Sequence, residues 1–387
     1  MIEGTFVMIG IDMTFIRKTE INKGFFSEGI SIYCEQILRG IEKVGQVNLF
    51  VLLVFKDQEK TIKHLFPNYV IRVIDSLFIK FIRNILGDNR FTDTEHKYLK
   101  RHLFAEATSD LDCVWFPYAI DKTFCKCMVP TISTIHDLIL YQNGTEKEKK
   151  QYKEGVINCS DRIVAISKDV KKELEQVFFY KKVIDIVPNA VEHKENAQLQ
   201  EIKEIANRSF ILDVNAFTKR KNTLTLLRAY KLLQKYIEED LVLCGGYKEE
   251  HYYDEIQQYI LTNSLENNVH IFFNVNEKEK NYLFSKAKLF VMPSLMEGFG
   301  RTPIEAGMWK VPIVCSDIPV LREVTLGNAF YYSPADDERA LANTIQATLK
   351  HSKNAKELEQ ISIQLQKYYS IETCAMQYIT IFKQFCL

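Results

Sequence analysis

The sequence predicts an α/β protein built from two doubly wound, Rossmann-like domains facing across a cleft. Three observations carry this. Short apolar runs alternate with helix-period stretches along the 387 residues, the pattern of successive parallel βαβ units. That length exceeds what a single core usually fills, so two domains are expected. The alternation is interrupted once, at Glu192–Asn207, a stretch rich in Glu, Lys, Asn and Gln with no Gly or Pro.

Taken in order, the first-half strands fall at Thr5–Ile11, Val47–Phe55, Val70–Ile74, Cys113–Phe116, Thr131–Ile135, Arg162–Ala165 and Ile184–Val187. Helical periodicity lies between them, most clearly at Gly29–Val44 and Lys168–Val177. Beyond the polar linker, strands are expected at Phe210–Val214, Leu241–Cys244, Val269–Phe273, Leu289–Met292 and Val311–Val314. Helices follow at Asp336–His351 and Ala355–Phe385. The domain limits are 1–195 and 196–365, followed by a final helix of about 366–387.

Composition excludes several classes. With 47% hydrophobic and 26% charged residues and a formal net charge of zero, nothing suggests nucleic acid as a partner. The nine cysteines are scattered, Cys125-Lys-Cys127 being the one close pair, which reads as reduced thiols. The N-terminus lacks a basic leader region, and the longest apolar run, Val47–Phe55, is too short to span a bilayer. A cytoplasmic protein is expected. Peripheral contact with the inner face of a membrane is open, because 76–104 mixes Lys80, Arg83, Lys97 and Arg101 with Phe78, Phe81 and Phe91. An amphipathic helix packed on its own sheet would carry the same pattern.

The most informative segment is Glu297-Gly-Phe-Gly-Arg-Thr-Pro-Ile-Glu305. It lies between the apolar run Leu289–Pro293 and a helical stretch, Pro303–Lys310, that leads into a second apolar run. Two carboxylates and two glycines thus sit at a strand-to-helix corner, where open α/β sheets bind ligands. Carboxylates accept hydrogen bonds from polyol hydroxyls. Bare glycine backbone and a helix N-terminus suit a diphosphate. The same residues admit a plainer account, a capping box with Thr302 as N-cap, Pro303 at N1 and Glu305 at N3.

Further segments follow in order: Thr134-Ile-His-Asp137, Ile166-Ser167-Lys168, Val187-Pro-Asn-Ala190 and Lys219-Arg-Lys-Asn222. Together with the two-glutamate corner they resemble the retaining glycosyltransferases of family 4, the group 1 transferases of GT-B fold. The resemblance is strongest from Asp213 to Pro334, and it implies that the final helix of about 366–387 crosses back to the first domain. It implies transfer of a sugar from a UDP- or GDP-linked donor to a glycan or lipid-linked acceptor, with retention at the anomeric carbon. Glu305 would bind the ribose, Glu297 the transferred sugar, and Gly298, Phe299 and Gly300 would offer backbone N–H groups. Lys221 and Arg220 would meet the leaving diphosphate, His136 would lie beside the sugar, and Asn189 and Gly29 would line the donor site. No metal or resident cofactor is implied, and Asp110-Leu-Asp112 reads as a solvated loop before a strand.

The chain departs from the family pattern in places. Glu28 replaces a glycine beside Gly29, and Val214-Asn215 stands where a Gly-Arg pair is usual, which leaves the second phosphate-binding cation open. A nucleotide-sugar epimerase or phosphorylase of the same fold, or a non-catalytic sugar-nucleotide binder, would share most of these features.

Overall fold

Apolar, β-branched runs become strands buried on both faces, because helices cover each side of a parallel sheet. A computed structural model describes residues 7–16, 20, 29–74, 104–118, 127–193 and 197–386. The chain divides into two units. One extends to Ala190 and takes up the chain again from Ile371, while the other is Val191–Ser370.

The first unit holds β1 (Ile9–Asp12), β2 (Phe50–Val54), β3 (Val70–Val73), β4 (Cys113–Phe116), β5 (Thr131–Ile135), β6 (Arg162–Ala165) and β7 (Ile184–Ile186). They pair in parallel in the order β3-β2-β1-β4-β5-β6-β7. The second unit holds β8 (Phe210–Val214), β9 (Asp240–Gly245), β10 (Val269–Phe273), β11 (Leu289–Met292), β12 (Ile313–Ser316) and β13 (Phe330–Tyr332). Their order is β10-β9-β8-β11-β12-β13, again all parallel. Each sheet therefore winds outward both ways from its first strand, with switch points between β1 and β4 and between β8 and β11.

Among the described residues, the helices of eight residues or more are α1 (Gly29–Lys43), α2 (Lys168–Phe178), α3 (Thr223–Leu233), α4 (Glu250–Thr262), α5 (Glu277–Lys286), α6 (Arg301–Met308), α7 (Glu338–Lys350), α8 (Ala355–Tyr368) and α9 (Ile371–Cys386). The single C-terminal helix expected over 355–385 is two, broken at Tyr369-Ser370, where the chain passes from the second unit to the first. Neither Gly nor Pro marks the break, which is set by the packing of each half. Among the described residues of the polar stretch after Glu192, the helical element is a short 3₁₀ turn at Lys203–Ile205.

The first unit's core closes with α9. Phe382 meets Trp115 and Phe50 at ring-centroid distances of 5.5 and 5.7 Å. The Trp115 indole N–H donates to Thr134 Oγ1 at 2.9 Å, and the Tyr378 hydroxyl lies 2.9 Å from the same oxygen. Gly40 of α1 lets α9 approach so closely that an added Cβ would strike the Ile371 carbonyl oxygen.

Cysteine usage differs from expectation at one described position. Cys159 is disulfide-bonded, which scattered spacing does not reveal, while Cys34, Cys113, Cys127, Cys244, Cys315, Cys374 and Cys386 are free. Among the described residues no helix is long and apolar enough to cross a membrane.

Candidate active site

The second sheet's switch point brings the C-terminal ends of β8 and β11 side by side, and three charged side chains meet there. After β8 the chain makes a 3₁₀ turn, Lys219–Lys221, and then passes through Asn222 in the left-handed region at φ 60°. Asn tolerates that conformation better than most residues. Its amide is also used twice, donating to the Pro293 carbonyl at 3.1 Å and to the Ala335 carbonyl at 2.9 Å. The Leu295 N–H donates to the Arg220 carbonyl at 2.8 Å. These bonds tie the basic turn to the loops that follow β11 and β13.

Glu297 sits in that loop with its side chain only 6% exposed. Lys221 Nζ donates to Glu297 Oε1, and Arg220 Nη1 donates to Oε2 at 3.2 Å. Lys221 is nearly buried at 11% exposure, whereas Arg220 is 39% exposed. Two cations thus converge on one carboxylate. The position left open by Val214-Asn215 is not filled by Asn215, whose amide donates instead to Asp213. Arg220 is the second cation in contact with Glu297.

The corner itself is shaped by Gly300, which caps α6 at φ 93°, where an L side chain is strained. An added Cβ would also stand 2.9 Å from Leu321 Cδ2. The Phe299 ring is buried and meets Tyr369 edge-on at 5.9 Å. No side chain caps α6. The first-turn amides are therefore not consumed by an N-cap side chain.

This corrects the capping-box account. The helix begins at Arg301, two residues earlier than Thr302-Pro303 suggested, because glycine at positive φ makes the cap. Thr302 lies within the first turn and Glu305 in the next. Glu305 pairs instead with Lys280 of α5 at 3.5 Å, and Lys280 also reaches Glu277 at 3.3 Å. The Glu305 carboxylate raises the proton affinity of Lys280 above that of an ordinary lysine. Burial lowers that of Arg301, with Glu305 and Glu277 opposing the shift.

Residues assigned to the site from the first unit occupy their own positions there. His136 follows β5; its Nε2 lies 2.9 Å from the Pro117 carbonyl, and its ring meets Tyr33 edge-on at 4.7 Å. That carbonyl fixes Nε2 as the protonated nitrogen of a neutral ring, and burial holds its pKa below the usual histidine value. Asn189 is buried, and its Oδ1 has no hydrogen-bond partner among the described residues. Gly29 opens α1, and none of the described residues lies within 4 Å of where a Cβ would stand. Residues 21–28, including Glu28, lie outside the described residues.

Ser167 caps α2, accepting from the Val170 N–H at 3.1 Å, and Asp137 caps the next turn through the Ile139 N–H at 3.0 Å. Asp110 forks onto Arg72 at 2.5 and 2.9 Å, and Asp112 accepts from the Met8 N–H at 2.6 Å. The basic stretch 76–104 lies outside the described residues except for Phe104, which is buried against Phe116.

Two residues at the site escaped sequence reasoning. Lys280 shows no signal beyond its helical spacing from Glu277. Asp213 is signalled only by an acid inside the apolar strand Phe210–Val214, and it is 1% exposed at the end of β8.

The Glycosyl transferases group 1 family model matches residues 195–364, and the Glycosyltransferase Family 4 model matches 28–195. The chain is 28% identical over 219 residues to the O-antigen chain mannosyltransferase RfbU of Salmonella typhimurium, covering 55% of this chain and 59% of that protein. It is 29% identical over 184 residues to O-antigen chain mannosyltransferase B of Escherichia coli, covering 46% and 47%. It thus spans about half the length of the curated relatives it matches. Anabaena Alr3699/HepE, solved in complex with UDP and glucose, superposes with a TM-score of 0.70 at 15% identity, over 98% of this chain and all of that one. At that identity the likeness speaks to the fold.

Proposed function

The chain belongs to glycosyltransferase family 4 and has the GT-B fold, and from that premise we propose that it transfers a sugar from a nucleotide-sugar donor to a glycan or lipid-linked acceptor. The observation that carries the reading is the Lys221–Glu297–Arg220 cluster at the β8/β11 switch point, beside the N-terminus of α6, where the Gly300 cap offers no side chain to the helix amides. The names of the two bacterial relatives favour mannose as the transferred sugar and surface-polysaccharide synthesis as the setting.

In this reading the donor diphosphate lies against Lys221, Arg220 and the first turn of α6. Fixed cations and helix amides offset the charge that develops as the bond from C1 to the diphosphate breaks. Glu305, held by Lys280, accepts from the ribose hydroxyls, and Glu297 accepts from hydroxyls of the transferred sugar. Gly298, Phe299 and Gly300 contribute backbone N–H groups. The acceptor oxygen bonds to C1 on the face the diphosphate leaves, so configuration is retained. Roles for His136, Asn189 and Gly29 rest on the family pattern. The reaction uses no metal and no resident cofactor, and the protein works in the cytoplasm, with 76–104 available for peripheral membrane contact.

A thermal-shift screen of UDP, GDP and CDP with their sugars tests the reading, since a saturating ligand of the native state raises the melting temperature. Product anomeric configuration by NMR, with and without EDTA, then tests retention and metal independence. If no sugar nucleotide stabilises the protein or yields product, the proposal fails. Isomerisation of donor in the absence of acceptor would mark an epimerase instead. Co-sedimentation with anionic vesicles at low salt tests the membrane contact, and absence of binding ends it.

A further inference from the structure

We propose that Asp213, a buried carboxyl group at the end of β8, is a further residue of the donor site and ties donor binding to the uptake of a proton. The inference rests on the reading of this corner as a nucleotide-sugar site.

Asp213 lies at the C-terminal end of β8, the strand beside β11 at the switch point. It is 1% exposed, forms no ion pair among the described residues, and accepts a hydrogen bond from the Asn215 amide. A carboxylate so placed has lost its hydration without gaining a counter-ion in contact, and the cheaper state is the protonated one. Burial pushes its pKa from 3.8 up to about 7, opposed by the Asn215 bond and the field of Lys221, and assisted by Glu297.

Among the described residues, titratable groups from several elements act on it or feel its charge. Lys221 comes from the 3₁₀ turn, Glu297 from the loop after β11, Cys244 from β9, Tyr252 from α4 and Tyr332 from β13. Burial raises the pKa of the Cys244 thiol to about 12 and shifts both phenols upward, so these three stay neutral near pH 7. Lys221 and Glu297 therefore set the field at Asp213.

That field changes when a diphosphate arrives. In the empty site the positive charge of Lys221 lowers the proton affinity of Asp213. A bound diphosphate cancels that charge and adds its own negative potential, so Asp213 takes a proton from solvent. The cluster then gains one positive charge relative to its ionised state, which offsets part of the ligand's charge. Donor binding and protonation thus reinforce each other, as linkage requires.

The test is calorimetry of the full chain with the tightest binder from a panel of UDP-, GDP- and CDP-linked sugars. Titrations are run at fixed pH in buffers of different ionisation enthalpy. The diphosphate of a nucleotide sugar is a diester with no proton to exchange near neutrality, so measured uptake belongs to the protein. Wild type is expected to take up a fraction of a proton at pH 7 and a larger fraction at pH 8, with Kd weakening by up to about tenfold per pH unit above 7. Asp213→Asn should bind the donor without uptake and with a flat pH profile. Uptake and slope persisting in that variant overturn the proposal. So does their absence from wild type, a measurement that stands even if the variant fails to fold. Failure of every sugar nucleotide to bind overturns the donor-site reading itself, whereas binding without uptake removes Asp213 alone.

Discussion

Replacing Glu297 by Gln should move stability, ligand affinity and turnover in different directions. The carboxylate is almost fully buried between Lys221 and Arg220. The substitution keeps the shape and removes the charge, leaving Lys221 nearly buried without a counter-ion. Breaking a fully buried pair costs roughly 3–5 kcal/mol. Lys221 retains some exposure, and Arg220, more than a third exposed, adds little. A loss of about 2–3 kcal/mol is expected, which for a domain of roughly 150–250 residues lowers Tm by about 5–10 °C. The vacated cations should then hold a free nucleoside diphosphate more tightly, because the ligand no longer competes with Glu297. A gain of about 1.4 kcal/mol would appear as tenfold tighter binding of UDP or GDP. Turnover should fall by about two orders of magnitude, the scale of losing one electrostatic contact in the transition state. Differential scanning fluorimetry, calorimetry with UDP and GDP, and donor turnover read the three effects. Weaker nucleoside diphosphate binding in the variant would refute the competition between carboxylate and phosphate.

Other perturbations test neighbouring parts. Gly300→Ala puts an L residue at φ 93° and a methyl against Leu321, so it should cost about 1–3 kcal/mol and weaken donor binding, read by melting and titration. Lys280→Met removes the cation paired with Glu305 and should raise the Kd for UDP and GDP about tenfold while kcat at saturation stays within roughly twofold. The folded state binds the Asp213 proton more tightly than the unfolded chain does. Wild-type stability should therefore fall, relative to Asp213→Asn, as pH rises from about 4 to about 7, by up to about 4 kcal/mol; equal pH profiles in chemical denaturation would contradict this. Gly40→Ala should loosen α9 from α1 by about 2 kcal/mol or more, visible as an earlier first-unit transition with the second unit's melting unchanged.

Much of the architecture is legible in the sequence because parallel strands are local, continuous apolar runs such as Phe50–Val54 and Leu289–Met292. The two-glutamate corner is legible for the same reason: both acids and both glycines lie within nine residues. What was missed depends on partners distant in sequence. Thr302-Pro303 carries a strong start signal for a helix, yet Gly300 wins because the tight corner demands positive φ. The break at Tyr369-Ser370 has no local signature, since both flanking segments are good amphipathic helices that pack in different units. Lys280 reaches Glu305 from another helix, and the state of Asp213 follows from burial that only the assembled sheet creates.

The placement of Ile371–Cys386 in the first unit bears on how the protein is made. Those residues leave the ribosome only after the whole of Val191–Ser370 has been synthesised. At roughly 5–20 residues per second, that interval is about 10–40 s. Throughout it Trp115 and Phe50 lack Phe382, and one apolar face of the nascent sheet stays wet. The later unit can therefore finish folding before the earlier one, reversing the usual order of maturation. Chaperone engagement during translation should concentrate on the segment produced first.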